Sequence, residues 1–223
     1  MNKITIFILF FTLNLIAQTT TAKYWLDPEG KEIKIKYLSL LSDKFPDNAM
    51  AFRKTADSGV VYQYNAPKYS TYKVDYSIFK SEIEKITYKK YPDSTIFLID
   101  FNYLDDTCSD WFSNNLSSEK INLRKSFYSS LKTEIERKSN VIFLCFFENG
   151  IILKNRPESK KEYFFSDQNN FFRKNIFINS TICGSYGLIK PNGQTLIRNG
   201  EYRPDWMNDH LKPEIWNLIF GTN

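Results

Sequence analysis

The stretch Ile96-Phe97-Leu98-Ile99-Asp100-Phe101 decides the fold, because it is an apolar run with one internal acid and the length of a single buried strand. A second apolar run, Val141 to Phe147, follows after a segment with helical spacing. Two strands joined through a helix form a βαβ crossover, which is normally parallel and right-handed. The sequence therefore predicts an α/β sheet built around these two strands.

The helices around these strands begin at capping residues. Asp75 is placed to cap a helix that Pro92 prevents from continuing into the first strand. Ser117 or Ser118 is placed to cap the helix between the strands. The apolar face predicted for that second helix consists of Ile121, Leu123, Phe127, Leu131 and Ile135.

The C-terminal third of the chain is predicted to add antiparallel strands to the sheet. Residues 168–177 favour a short helix. Pro204 starts the last helix, which extends to Ile219 and which Pro213 is placed to break or kink. Between these helices, Tyr186 to Lys190 and Gln194 to Arg198 predict a β-hairpin across the turn Pro191-Asn192-Gly193. A hairpin added to a parallel pair makes the predicted sheet mixed.

The first residues are typical of an export signal. Lys3 supplies a positive start, and the stretch Ile4 to Ile16 is apolar. Ala17 offers a cleavage site, with Ala22 as the alternative. The apolar stretch is shorter than the ~20 residues that span a bilayer, and a retained membrane anchor is the other outcome. We expect a periplasmic or secreted protein with no stable membrane span once the signal is removed.

The chain divides into a signal peptide at 1–17, an N-terminal extension at 18–67 and a main domain at 68–223. The extension carries two predicted strands, Tyr24-Trp25-Leu26 and Val60 to Tyr64. It has too few apolar residues for a core of its own. We therefore expect a small strand and helix element appended to the main domain.

The composition indicates a folded domain without a nucleic-acid partner. The 223 residues include 19 Phe and 14 Tyr, which is enough aromatic surface for a packed core. The formal net charge is +5, and the densest basic clusters, Lys89-Lys90 and Lys160-Lys161, are short and far apart in sequence. We therefore expect a solvated, lysine-rich surface.

The sequence carries no metal or cofactor motif. His210 is the only histidine, and its place in the last predicted helix suggests a surface residue. Three scattered cysteines do not make a zinc site. Gly184-Ser185-Tyr186-Gly187 lacks the spacing and the following helix of a phosphate-binding loop. We expect no bound metal and no cofactor.

The order of predicted elements resembles the thioredoxin superfamily over roughly 75–219, and the stretch Phe97-Leu98-Ile99-Asp100-Phe101 resembles the strand that leads to its active-site loop. That family has a buried acid at the position of Asp100, followed by Cys-x-x-Cys at the start of the next helix. Here Cys108-Ser109-Asp110-Trp111 keeps the first cysteine, and Trp111 stands where the second would be. The resemblance implies a thioredoxin-like mixed sheet flanked by helices, with the N-terminal extension added.

The resemblance also places a second cysteine near the first. The family's cis-proline position falls on Gly184 or Ser185, beside Cys183, and the proline itself is absent. Cys183 then faces the loop of Cys108 from across the sheet edge. In an exported protein, such a pair usually forms a structural disulfide. The alternatives are unpaired cysteines or a catalytic pair, in which Cys108 attacks, Cys183 resolves and Asp100 relays a proton.

Other residues near this edge have simpler interpretations. Asp105-Asp106 is interpreted as a helix-start or turn pair, and Cys145 as a small buried residue in its strand. Asp100 is either a satisfied polar group of the core, a surface acid or the proton relay. Trp111 and Tyr186 are the candidates for a ligand-binding aromatic patch near the cysteines.

We therefore expect a thioredoxin-fold protein without a dithiol motif, acting as a binding or accessory module of the cell envelope. Its partner would be an unknown protein or small ligand. The alternative is a divergent thiol–disulfide oxidoreductase that uses Cys108, with Cys183 as the resolving cysteine. A hydrolase or carbohydrate binder has no motif in its favour. A fold alone does not decide between these functions.

Overall fold

The structure, a computed structural model, describes residues 22–57, 59–109, 112–138 and 140–220. The predicted signal peptide at 1–17 and the patch candidate Trp111 lie outside the described residues. Within the described ranges, no helix combines the length and the apolar character that a membrane crossing requires.

Eleven strands and six helices form the described part of the chain. The strands are β1 (Lys23–Leu26), β2 (Asn48–Lys54), β3 (Val60–Pro67), β4 (Tyr69–Lys73), β5 (Ile96–Asn102), β6 (Asn115–Leu116), β7 (Val141–Glu148), β8 (Ile152–Leu153), β9 (Phe164–Asp167), β10 (Ser185–Ile189) and β11 (Gln194–Asn199). The helices are α1 (Leu38–Lys44), α2 (Tyr76–Thr87), α3 (Ser118–Glu136), α4 (Phe171–Asn175), α5 (Pro204–Asp209) and α6 (Pro213–Phe220).

The main sheet has six strands in the order β4-β11-β10-β5-β7-β9. β5, β7 and β9 are parallel, while β10 runs antiparallel to both β5 and β11. The crossover from β5 through α3 to β7 pairs Ile96 with Val141, as the two apolar runs predict. The predicted mixed sheet flanked by helices is confirmed.

Alternation along β5 separates the two faces of this sheet. Phe97 points toward α2, where it meets Phe79 with ring centroids 5.7 Å apart. Phe101, on the same face, stacks on Phe177 just after α4, with ring centroids 4.6 Å apart. Asp100 points to the other face, where it meets Tyr128 of α3. Because successive strand residues face opposite sides, one face of the sheet is an aromatic core and the other holds a buried acid.

Three predicted helices differ from the observed ones. The last predicted helix is divided into α5 and α6, and the second of these begins at Pro213. The predicted helix at 168–177 is shortened to α4, because the strand β9 and its turn take up the residues before it. On α3 the buried residues are Ile121, Arg124, Tyr128, Leu131 and Ile135, whereas the predicted core residues Leu123 and Phe127 are exposed. The helix is therefore rotated relative to the predicted apolar face, and it buries an arginine and a tyrosine.

The N-terminal segment forms a separate three-stranded sheet in the order β1-β3-β2. It contacts the main domain through backbone hydrogen bonds from Phe52 N to Ser180 O (2.8 Å) and from Ile182 N to Met50 O (3.1 Å). The Tyr62 hydroxyl also lies 2.6 Å from Thr107 Oγ1. This small sheet therefore supports the loop after β5 and the loop before β10.

Candidate functional site

Cys108 and Cys183 form a disulfide at the carboxyl end of β5, and their Cα atoms lie 5.0 Å apart. The bond joins the loop after β5 to the loop before β10, and both cysteines are partly exposed. The expected pairing is confirmed. We call this region, with Asp106 and Gly184, the disulfide edge.

Asp106 holds the two loops together a second time. Its Oδ1 accepts hydrogen bonds from Cys108 N (2.9 Å) and Cys183 N (3.2 Å), and its Oδ2 accepts one from Gly184 N (2.9 Å). Cys183 and Gly184 both have left-handed φ angles, 66° and 74°, which turn successive N–H groups toward one carboxyl group. The interpretation of Asp106 as a simple turn residue misses this bridge between distant loops.

Only glycine fits at position 184, because a Cβ atom there would lie 2.8 Å from the Phe101 carbonyl oxygen. Asp106 itself is 5 % exposed. Burial raises its pKa to about 6, against the opposing effect of the three N–H donors and of the Arg124 charge. The disulfide edge therefore contains an acid whose pKa is closer to neutral pH than that of an ordinary aspartate.

Asp100 is a satisfied polar group of the core. It is 1 % exposed, and its Oδ2 accepts hydrogen bonds from Tyr128 Oη (2.9 Å) and Asn102 Nδ2 (3.2 Å). Its Oδ1 accepts one from the Tyr202 hydroxyl. Burial raises the pKa of both tyrosine hydroxyls well above the ordinary value, so they remain donors. These contacts connect the buried acid to α3 and to the segment before α5.

Arg124 is a site residue that the sequence reasoning missed. It is buried, with 4 % of its surface exposed. The guanidinium lies 4.9 Å from the Phe112 ring centroid and 5.2 Å from that of Phe147. It also donates a hydrogen bond to Asn102 Oδ1. A signal was present in the regular spacing of three and four residues at positions 121, 124, 128, 131 and 135, which includes the arginine. Selecting apolar residues alone excluded it.

A cavity of about 190 Å³ opens beside the disulfide. It is lined by Cys108, Ser109, Phe112, Arg124, Phe127, Tyr128, Cys183, Glu201 and Tyr202. Phe127, which is 49 % exposed, is the most accessible large apolar side chain among these residues. The aromatic surface near the disulfide therefore comes from α3 and the loops.

The predicted patch residue Tyr186 does not contribute to this surface. It is buried, its hydroxyl lies 2.7 Å from His210 Nδ1, and its ring packs edge-on against Tyr202. The same contact corrects the expected surface position of His210, which is partly buried, and desolvation lowers its pKa. The two residues form a structural contact between β10 and the end of α5.

Cys145 is a free, buried thiol in the middle of β7. Burial raises its pKa well above the ordinary value, so the reactive thiolate is disfavoured. Its backbone N donates to Tyr163 O at 2.7 Å as part of the sheet. Cys145 therefore serves the core, and the thiol chemistry of the described residues is confined to Cys108 and Cys183.

Comparisons with known proteins add one distant likeness. No protein-family model and no curated protein matches the chain. A crystal structure of the N-terminal domain of PilB from Neisseria gonorrhoeae is similar over 56 % of this chain and 79 % of that chain, with 14 % sequence identity and a TM-score of 0.35. A likeness at this level carries no weight for function, and the candidate function must come from the site itself.

Proposed function

We propose that this chain is an exported thioredoxin-fold protein that acts as a binding or accessory module of the cell envelope, with the disulfide edge as its binding surface. The observation that carries the proposal is the double link between the two loops. The disulfide joins Cys108 to Cys183, and the Asp106 carboxyl group accepts hydrogen bonds from the backbone of both cysteines. Loops fixed in this way present a preorganised surface, which lowers the entropic cost of binding.

The Asp106 bridge also favours a disulfide that stays closed. If the bond were reduced, the hydrogen bonds to Cys108 N and Cys183 N would still hold the two thiols near each other. A high effective concentration of one thiol at the other favours the disulfide over exchange with an outside thiol. A stable bond suits a structural element of a binding surface.

The cavity size favours a protein partner. Small-molecule sites usually have volumes of ~300–1,000 Å³. At about 190 Å³, the cavity beside the disulfide is smaller than that range and suits one inserted side chain. The exposed Phe127 ring and the neighbouring Arg124 and Glu201 give it both apolar and charged contacts. We infer that the partner is a protein that places a side chain beside the disulfide.

A photo-crosslinking experiment tests the binding surface. The full-length protein would carry p-benzoylphenylalanine at position 127, and irradiation in its own cells should give a discrete protein adduct. Leu123 is the matched control, because it is 53 % exposed on the same helix but does not line the cavity. Equal adducts at positions 123 and 127, or none at 127, would contradict the proposal.

A thiol–disulfide oxidoreductase is the second candidate, because both cysteines are partly exposed and share one cavity with Arg124. A guanidinium beside a thiolate stabilises it, and Asp106, whose pKa is raised to about 6, accepts hydrogen bonds from the backbone of both cysteines. In such an enzyme, an outside thiolate attacks one sulfur of the bond, and the other cysteine leaves as a thiolate.

The reduction potential and an insulin-reduction assay distinguish the two candidates. The binding module should have a potential below about −300 mV and no insulin reductase activity. An enzyme should have a higher potential and an activity that Cys108→Ser abolishes and Cys145→Ala retains. Measured turnover with that pattern would replace the first proposal with the second.

A further inference from the structure

The fold brings together lysines that are far apart in sequence. An open groove of about 660 Å³ lies between α3, the first half of β7 and the segment before β9. Lys89, which follows the end of α2, lines this groove, and so do Lys160 and Lys161 from the segment before β9. One lysine of the first basic cluster and both lysines of the second therefore line a single surface, while Lys90 pairs with Glu84 instead.

A second groove of about 400 Å³ adjoins the first and shares Lys125 and Glu162 with it. We call both together the lysine groove. Its basic residues are Lys89, Lys125, Lys132, Lys154, Arg156, Lys160 and Lys161, and its acidic residues are Glu136 and Glu162. These seven basic and two acidic residues have a formal net charge of +5, which equals that of the whole chain. The formal charges of all the other residues therefore cancel.

Both acidic side chains of the groove form ion pairs with lysines. Glu162 pairs with Lys125 at 2.7 Å and also accepts hydrogen bonds from the backbone of Tyr163 and Phe164. Glu136 pairs with Lys132. In the part of the chain that the structure describes, no carboxylate lies within ion-pair distance of Lys160 or Lys161. These two charges face the groove without compensation.

Buried aromatic rings lie beside Lys89 and Lys132. Lys132 Nζ lies 5.4 Å from the Tyr163 ring centroid, and Lys89 Nζ lies 5.5 Å from that of Phe165. Lys89 also donates to Glu162 O at 2.6 Å. Desolvation and the neighbouring Lys132 lower the pKa of Lys89, and a bound anion would oppose that effect. These contacts therefore position Lys89 and Lys132 at the groove.

We propose that the lysine groove binds a small polyanion, a molecule that carries several phosphate or sulfate groups. The volume of the main groove lies within the ~300–1,000 Å³ of small-molecule sites. Ammonium groups bind phosphate as compact point charges, and several of them here converge on one space. Nucleic acid fits less well, because Tyr163 and Phe165 are buried behind the lysines and offer no face for base stacking. This site is separate from the disulfide edge and does not depend on the proposed function.

Titration calorimetry of the full-length protein with inorganic tripolyphosphate tests the proposal. We expect saturable binding that Lys160→Gln with Lys161→Gln weakens at least ~10-fold, equivalent to about 1.4 kcal/mol. The matched control is Lys31→Gln with Lys174→Gln, which removes the same charge from exposed positions outside the groove. The control should bind as the wild type does, with the chloride concentration held constant.

Three results would overturn the proposal. One is the absence of saturable tripolyphosphate binding by the wild type. Another is an equal loss in the groove variant and in the control, which would indicate only a general effect of net charge. The third is tighter binding of a short DNA duplex than of tripolyphosphate, with the same dependence on Lys160 and Lys161, which would assign the groove to nucleic acid.

Discussion

The two ends of the central parallel strands differ in how their charged side chains are placed. At the carboxyl end, Asp100, Asp106 and Arg124 are buried and hydrogen-bonded around the disulfide. At the amino end, the lysine groove gathers like charges at the surface with few acids among them. Buried polar groups stabilise a fold when all of their hydrogen bonds are made, whereas like charges without nearby opposite charges lower its stability. The first end therefore stabilises the fold, whereas the second lowers its stability and is the site proposed to bind a polyanion.

Removing the disulfide should have the largest effect on stability. Cys108→Ala with Cys183→Ala opens a loop whose ends are 75 residues apart, for which the chain-entropy estimate is about 4.5 kcal/mol. Urea unfolding of the variant and of the oxidised wild type measures this difference. A loss below about 1 kcal/mol would mean that Asp106 alone holds the two loops together.

The pH dependence of the disulfide edge should follow Asp106. Because its folded-state pKa is raised from 3.8 to about 6, its contribution to stability is complete below pH ~4 and is lost as pH rises through ~6. The unfolding free energy of the wild type minus that of Asp106→Asn should therefore fall by up to about 3 kcal/mol between pH ~4 and ~7. Chemical denaturation at several pH values measures this difference, and a constant or rising value would contradict the prediction.

Much of the fold follows from local patterns in the sequence. The apolar runs of β5 and β7, the caps at Asp75 and Ser117, and the turn at Gly193 all appear where the sequence predicts them. Each of these signals acts over a few residues, so chain order is enough to find it. The expectation that Cys108 and Cys183 meet needed a fold resemblance as well.

The candidate site depends on contacts between residues that are far apart in sequence, which local patterns do not predict. Asp106 contacts Gly184 across 78 residues, and Tyr202 contacts Asp100 across 102. Strand β9 was missed because the four residues Phe164–Asp167 follow a polar, lysine-rich stretch and lack a clear period of two. The lysine groove was missed for the same reason as the Asp106 bridge, since Lys89 and Lys160 become neighbours only after folding.

Loss of one hydrogen bond should destabilise the protein more at the carboxyl end of the central strands than at their amino end. Tyr202→Phe removes the donor to Asp100 Oδ1 and should destabilise the protein by about 2 kcal/mol. Tyr76→Phe is the matched control, because its hydroxyl donates to the Thr95 carbonyl at 2.6 Å at the start of β5, where we expect about 1 kcal/mol. Thermal and urea unfolding measure both variants. Equal losses would remove the energetic distinction between the two ends.

Removing charge from the lysine groove should have the smallest effect on stability. Lys160→Gln with Lys161→Gln should change the unfolding free energy by no more than about 0.5 kcal/mol, because both side chains are exposed and lack an acidic partner among the described residues. The sign should be stabilising at low salt, since the substitution relieves repulsion from the other groove lysines, and the gain should disappear near ~1 M salt. Urea unfolding at several salt concentrations, beside the Lys31→Gln and Lys174→Gln control, measures it. A loss above about 1 kcal/mol would show that these lysines hold the fold together, and the contrast between a stabilising end and a ligand-binding end would then fail.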